Sequence, residues 1–328
     1  MDSLTHALTG AVIGDAIAGQ KFGQKAMLIG AFAANIPDLD VLVTNLFNPV
    51  DALFVHRGFS HSFLLMILGS AALAYLLNKR FSKRLNFTNW WLLILIPWFS
   101  HLSMDIFNTY GTAIFAPFSN TRVSIDSMAI IDLNLLIILL FSLLGIFLTK
   151  RMPRFKRFLS VASLSAVIIY FVAGVLIKAA VEREVKSYLS KNDVGYNRIY
   201  STPVPLTNLA WMVLVEDSAS FRVSYINVPK NQIYRHFYIK KVSVKLDCPV
   251  LEEKLVDFSK GFYAVKHDDG KIFFTDLRFS TLAGAPQNSP VLSIEINPNS
   301  CKASRNHPKR DINLKNAAAL YRRLLLDK

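Results

Sequence analysis

Glutamate is missing from the first 181 residues: all eight acidic groups there are aspartates, and the first glutamate is Glu182. Charge of either sign is absent from residues 61–78 and 87–104. Each stretch is long enough for one bilayer crossing at about 1.5 Å of helix rise per residue. Cysteine is nearly absent. Cys248 and Cys301 are the whole supply, which excludes a disulfide scaffold and a thiolate metal site and leaves room for one bridge in an oxidising compartment. The start, Met1-Asp2-Ser3-Leu4-Thr5-His6, has no basic region, so a cleaved signal peptide is not expected. No dense basic block, internal repeat or low-complexity tract is found. The net charge of +14 divides into +6 over residues 1–181 and +8 over 182–328, which does not read as a nucleic-acid binder.

Hydrophobic residues make up 52% of the 328, with a mean hydropathy of +0.33, and they gather in the first half. Six apolar segments are expected to span: 3–19, 26–43, 61–78, 87–104, 130–149 and 158–178. The first two are weak, because His6, Asp15 and the Asn35-Ile36-Pro37-Asp38-Leu39-Asp40 run interrupt them; a helical hairpin or re-entrant pair is their alternative. Gly10, Gly14 and Gly19 permit close helix approach. Trp90 and Trp91 are placed in an interfacial aromatic belt. The basic loops 79–84 and 150–157 should face the cytoplasm, whereas 44–60 and 106–129 carry only Arg57 and Arg122. Six crossings then put both termini outside.

After residue 184 the pattern becomes β-branched and aromatic. Strands are expected at 209–215, 221–228, 234–246, 262–267, 271–278 and 291–296, with a hairpin turn at Asp268-Asp269-Gly270 and a short helix over 311–326. Pro203 and Pro205 mark the start of this region. The fold class is an α-helical polytopic membrane domain of about six transmembrane helices over residues 1–181, followed by a smaller β-rich extracytoplasmic domain over 182–328. The chain is thus expected in the cell (inner) membrane.

The polar residues inside the apolar half share one depth at the outer face. They are His6, Asp38 and Asp40, His56 and His61 in His56-Arg57-Gly58-Phe59-Ser60-His61-Ser62, and His101 and Asp105 in His101-Leu102-Ser103-Met104-Asp105. The i, i+4 spacing of His101 and Asp105 puts both on one helix face. Ionisable groups in spans are costly and default to function. Mixed His and Asp donors suit Zn²⁺, with Mn²⁺ or Fe²⁺ as alternatives, and seven donors exceed one tetrahedral site, so two or three ions are expected. Such a centre acidifies water and supports phosphoester hydrolysis. Arg57 and Ser60 are then candidates for holding a phosphate, and Asp38, Asp40 or Asp105 for general base.

Blander readings stand beside these. His6 could be a packing residue, Asp38 or Asp40 a helix terminator after Pro37, and His101 with Asp105 a structural pair. Asp15 could be a relay or a helix-packing hydrogen bond. Asp126 and Asp132 read as interfacial caps, and His236, His267 and His307 as surface histidines. The basic loops read as topology determinants, with lipid contact as a by-product.

At these same fragments, and at Tyr110-Gly111-Thr112, the sequence resembles the YdjM-type family of membrane-bound, metal-dependent hydrolases. The resemblance is dense over the N-terminal half; Thr202-Pro203-Val204-Pro205-Leu206 and Asp276-Leu277-Arg278-Phe279 resemble that family's outer domain. Through His-x-x-x-Asp and the spaced histidines it is distantly similar to helical zinc phospholipases C and related nucleases. The resemblance implies a hydrolase with metal in a helical core that cleaves a phosphoester; with the core at the membrane surface, a lipid or lipid-linked headgroup is the substrate expected. Two other classes compete. A metal-ion transporter would place the ligands at mid-membrane in two related halves. A sensor or scaffold would hold its ion in a closed coordination sphere.

Overall fold

The computed structural model describes residues 1–81, 85–230, 232–241, 248–268, 270–279 and 291–305. It divides into two compact units. One comprises Met1–Thr44, Phe54–Ile125 and Ile130–Ala173; the other comprises Asn45–Leu53, Asp126–Ala129 and Gly174–Lys328. The expected boundary at residue 181 therefore falls inside a helix.

The first unit is helical. Helix α1 (Ser3–Phe22) starts on Asp2, whose carboxylate accepts from the Thr5 amide, a standard N-cap. It turns back through Gly23 into α2 (Gln24–Asn35). The two helices touch backbone to backbone: a Cβ on Gly30 would lie 2.1 Å from the Gly10 carbonyl, and one on Gly10 2.3 Å from that of Gly30. No larger residue fits. The chain then enters a 3-10 turn (Pro37–Asp40), α3 (Val41–Thr44) and, after a loop, α4 (Pro49–Val55). A second 3-10 turn (Phe59–His61) leads into α5 (Phe63–Phe81), followed by α6 (Phe87–Asp105), α7 (Leu133–Leu148) and α8 (Pro153–Lys191).

Helices α5 and α8 are each long and apolar enough to cross a membrane, and α2 with the Pro37–Thr44 segment, bent by 49°, would make a third span. Helix α7 is apolar but only 16 residues long. Large side chains on these helices point outward: Phe141 and Leu148 on α7 and Ile168 and Leu176 on α8 are 63–70% exposed. Such a surface suits lipid rather than water. The interior holds Trp90, Leu93, Trp98 and Leu102 of α6 against Ala26 and Ala33 of α2 and Met66 and Ala74 of α5. Trp90 is thus a core residue, not a member of an interfacial belt: the α1–α2 hairpin supplies it with a partner, Phe22, in edge-to-face contact. Trp91 donates its indole N–H to Ser70 across α5 and α6 at 3.0 Å.

Among the described residues, the second unit holds two four-stranded antiparallel sheets. Strands β1 (Arg198–Pro203), β2 (Ala210–Glu216), β3 (Ser220–Asn227) and β4 (Gln232–Lys240) form a meander. Helix α9 (Pro249–Phe258) precedes β5 (Tyr263–Asp268), β6 (Lys271–Asp276), β7 (Ser293–Asn297) and β8 (Lys302–Arg305), which pair in order. Strand β2 is buried throughout. Met212 and Leu214 face Tyr200, Val223 and Phe262. Trp211, Val213 and Val215 face Val181, Val185 and Leu189 of α8. This two-sided alternation is the period of a strand, and it explains why α8 runs past residue 181: its later turns are core for this sheet.

Cys248 and Cys301 form a disulfide joining the start of α9 to the β7–β8 turn. The expected strands appear within a few residues of their places; β1, α9 and β8 were not expected. The expected helix at 311–326, the end of the 234–246 strand, His307 and Asp269 lie outside the described residues, as does the His236 side chain.

Candidate metal centre

Three elements of the helical unit bring four side chains together. Helix α6 supplies His101 and Asp105 in its last turns, the Phe59–His61 turn supplies His61, and the Pro37–Asp40 turn supplies Asp38. Their donor atoms lie within 4.8 Å of one another. His61 Nε2 and His101 Nε2 are 3.1 Å apart. Asp38 Oδ1 is 3.5 Å from each of these nitrogens. Asp105 Oδ2 is 3.4 Å from His61 Nε2 and 3.3 Å from His101 Nε2. A cation bound about 2.0–2.1 Å from four tetrahedral donors would set them about 3.3–3.4 Å apart. The observed separations, 3.1–3.5 Å, bracket that figure, so the donor set could hold a metal ion.

Two details of the surroundings support the fit. Asp105 Oδ2 is buried and accepts no hydrogen bond, a costly state for a carboxylate oxygen unless a cation compensates it. Its other oxygen is heavily engaged, by Arg57 Nη2 at 3.1 Å, His6 Nε2 at 3.2 Å, Asn108 Nδ2 at 3.4 Å and the Met1 amino group. Asp105 thus keeps only Oδ2 for the donor set. His61 is oriented in a similar way. Its Nδ1 lies 2.9 Å from Ser60 Oγ, which itself donates to Asp40 Oδ2 at 2.6 Å. A hydroxyl already donating to a carboxylate must accept from the ring, so Nδ1 carries the proton and Nε2 presents its lone pair. Carboxylate-oriented histidine of this kind is the usual support of a metal ligand.

A second group, Asp38, Asp40 and His56, also has its donors within 4.8 Å, and it shares Asp38 with the first. It is less enclosed: the side chains of His56 and Asp38 are 23% and 13% exposed, against 0% for His61, His101 and Asp105. Asp40 Oδ1 is 2.9 Å from His56 Nδ1, and Oδ2 accepts from the Arg57 amide at 3.0 Å. The remaining histidine, His6, belongs to neither group. It stacks on His101 with ring centroids 3.8 Å apart and touches the outer oxygen of Asp105, so it positions ligands rather than adding to the four.

Arg57 and Ser60 differ from the expectation that they hold a phosphate. Arg57 is buried, gives Nη1 to Asn108 Oδ1 at 2.7 Å and Nη2 to Asp105, and lies over the Tyr110 ring. Its φ of 57° costs a non-glycine residue about 1 kcal/mol. The conformation lets its amide reach Asp40 while its guanidinium reaches Asp105, so one residue braces a carboxylate from each group. The Ser60 hydroxyl is committed to Asp40.

Sequence reading overlooked Asn108 and Arg122. Asn108 stands in the turn just after α6 ends at Asp105 and reaches back to the Asp105 carboxylate. Arg122, counted only as a loop charge, donates to the carbonyls of His56 and Gly111 and ties the two loops together. Elsewhere in this unit, Asp15 pairs with Lys156 and accepts from Ser160 at 2.7 Å, a helix-packing contact rather than a link to the donor set. Asp132 caps α7 and accepts from Tyr170. In the strand-rich unit, Asp126 is no cap; it accepts from the Tyr200 hydroxyl at 2.9 Å. His267 is exposed.

The chain is 30% identical over 139 residues to the uncharacterized protein YfhP of Bacillus subtilis (strain 168), a match covering 40% of this chain and 42% of that relative's length. No solved structure matches. The model of the YdjM inner membrane protein family matches residues 1–181, more than half of the chain and the region carrying every donor described above. The chain therefore belongs to the YdjM inner membrane protein family, and within the matched region it carries Asp and His groups that could hold a metal ion.

Proposed function

We propose that the protein is a membrane-embedded, metal-dependent hydrolase of phosphoesters, with its centre at the extracytoplasmic face. The observation that carries this reading is the pair of donor groups sharing Asp38. A closed four-donor set alone suits a structural ion, whereas catalytic sites keep a position open. Asp38, Asp40 and the partly exposed His56 would supply only three donors and so leave a position open. Divalent ions held there would supply Lewis acidity, lower the pKa of water and clamp a phosphoryl group. Asp40 and His56 would manage the proton, and Asp38 would hold the two groups in register.

Exposed apolar residues alternate with the donors: Leu39 and Leu42 are 49% and 76% exposed and Phe59 50%. This favours an amphiphilic substrate, a lipid or lipid-linked phosphoester, reaching the donors from the bilayer. Six crossings with both termini outside remain the topology we favour. The basic loops support it through the positive-inside rule, and the Cys248–Cys301 disulfide supports an oxidising compartment for the strand-rich unit.

Elemental analysis of the purified chain tests the site. Wild type should carry a divalent metal and hydrolyse members of a panel of soluble and lipid phosphoesters, while His61→Ala and Asp105→Ala should lose both. Metal-free wild type, or full metal retention in both variants, overturns the site. Metal without hydrolysis of any ester favours the structural ion that the closed four-donor set also fits.

A further inference from the structure

At one end α6 carries the donors His101 and Asp105 and α1 carries His6, stacked on His101; the other ends of both helices carry something different. About 21 Å along α1 from His6, at 1.5 Å per residue, lie Gln20 and Lys21. About 18 Å back along α6 from His101 lies Asn89. These residues and Arg157 of α8 line a cavity of about 170 Å³, whose remaining wall includes Ile17 and Leu85. The cavity therefore has an apolar side and a basic rim.

Its two cations are uncompensated. Lys21 and Arg157 are exposed, and neither has an ion-pair partner among the described residues. The neighbouring Lys156 is different, since Asp15 neutralises it. Further cations stand at the same helix ends: Lys25 at the start of α2, Lys79 and Arg80 in the last turn of α5, and Arg154 in the first turn of α8. The donor set's acids are a helix length away. Concentrated positive charge beside an apolar wall, at the end of a membrane helix, complements a phosphate attached to acyl chains.

We infer that the cleft between Lys21 and Arg157 binds the headgroup of an anionic phospholipid, with Gln20 and Asn89 as hydrogen-bond donors and Ile17 and Leu85 against the glycerol and upper acyl chain. The site is independent of the metal centre and of the reaction proposed for it. It would hold the helical unit by its basic end in the leaflet richest in anionic lipid.

Native mass spectrometry of the full chain in detergent, titrated with phosphatidylglycerol or phosphatidylcholine, tests the proposal. Wild type should prefer phosphatidylglycerol. At about 1 kcal/mol per cation near a membrane surface, Lys21→Gln and Arg157→Gln should each weaken that lipid about fivefold, and the double variant about 25-fold. Phosphatidylcholine binding should not move, and neither should metal content, which reports on folding at the opposite helix ends. Lys25→Gln with Arg154→Gln, which removes two cations outside the cleft, should leave the preference in place. Equal binding of the two lipids by wild type, an unchanged preference in the cleft variants, or an equal loss in the Lys25 and Arg154 variant would overturn the site. Displacement of the lipid by millimolar inorganic phosphate would also overturn it, assigning the cleft to a soluble anion.

Discussion

In the helical unit His61, His101 and Asp105 are fully buried while Phe141, Leu148 and Ile168 lie open; in the strand-rich unit Trp211, Val213 and Leu214 are fully buried while Lys266 and Asp268 lie open. The second arrangement is what water selects, because burial of apolar area stabilises and exposed charge costs little. The first is its inverse, and it is stable only where lipid replaces water around the helices. Each unit therefore depends on a different glue. The helical unit relies on close backbone approach and on polar groups satisfying one another, and the strand-rich unit on an apolar core and a covalent staple.

Four perturbations would break or sharpen that contrast. The largest effect is expected from Gly30→Leu, since any side chain there meets the Gly10 carbonyl. The α1–α2 hairpin should fail to close and metal should be lost, which elemental analysis would show; a metal-loaded variant would disprove the close-approach account. Next comes reduction of Cys248–Cys301, whose sequence separation is 53 residues. Freeing a loop of that size should cost the strand-rich unit roughly 4 kcal/mol. Hydrogen exchange should accelerate in α9 and β5–β8 while bound metal is unchanged, and protection equal to the oxidised form would contradict this.

A smaller effect is expected of Arg57→Gln, which removes the brace between Asp105 and Asn108. Loss of a group that orients ligands typically weakens metal affinity about 10- to 100-fold, measurable by competition with a chelator. An unchanged affinity would return Arg57 to the role of a phosphate holder. The smallest concerns Glu216. Burial disfavours its charge, but hydrogen bonds from Arg198 and Lys241 prevail and hold its carboxyl below its ordinary value of 4.5. A depressed folded pKa stabilises above the unfolded value and loses that contribution as pH falls through the folded one. Exchange in β1–β3 should therefore rise as pH drops below about 4.5, and Glu216→Gln should flatten the dependence. A wild type and variant with the same pH profile would rule this pair out as a source of acid sensitivity.

Much of the fold was legible because both periods are strong. The charge-free run of residues 61–78 became α5, and the alternation of Trp211 to Val215 became a strand buried on two faces. The donors were legible for another reason: a His or Asp in an apolar segment stands out, and the i, i+4 pair on α6 declares its common face. Partner choice was not legible. Arg57 beside Gly58 looks the same in sequence whether it meets a phosphate or Asp105, since that depends on where α6 ends in space. Trp90 looked interfacial because nothing local shows that Phe22 will cover it. Helix α9 was hidden by its short length and by Pro249 at its start.

Asp38 takes part in both donor groups, and one carboxylate carries a single negative charge. Whatever occupies the buried group draws on that charge first, since four donors surround it and water is excluded. The outer group then inherits a partly spent acid with only Asp40 and His56 to supplement it. Were both groups loaded as proposed, Asp38 would make the inner ion the one retained and the outer ion the one exchanged, so a chelator should empty the outer group first.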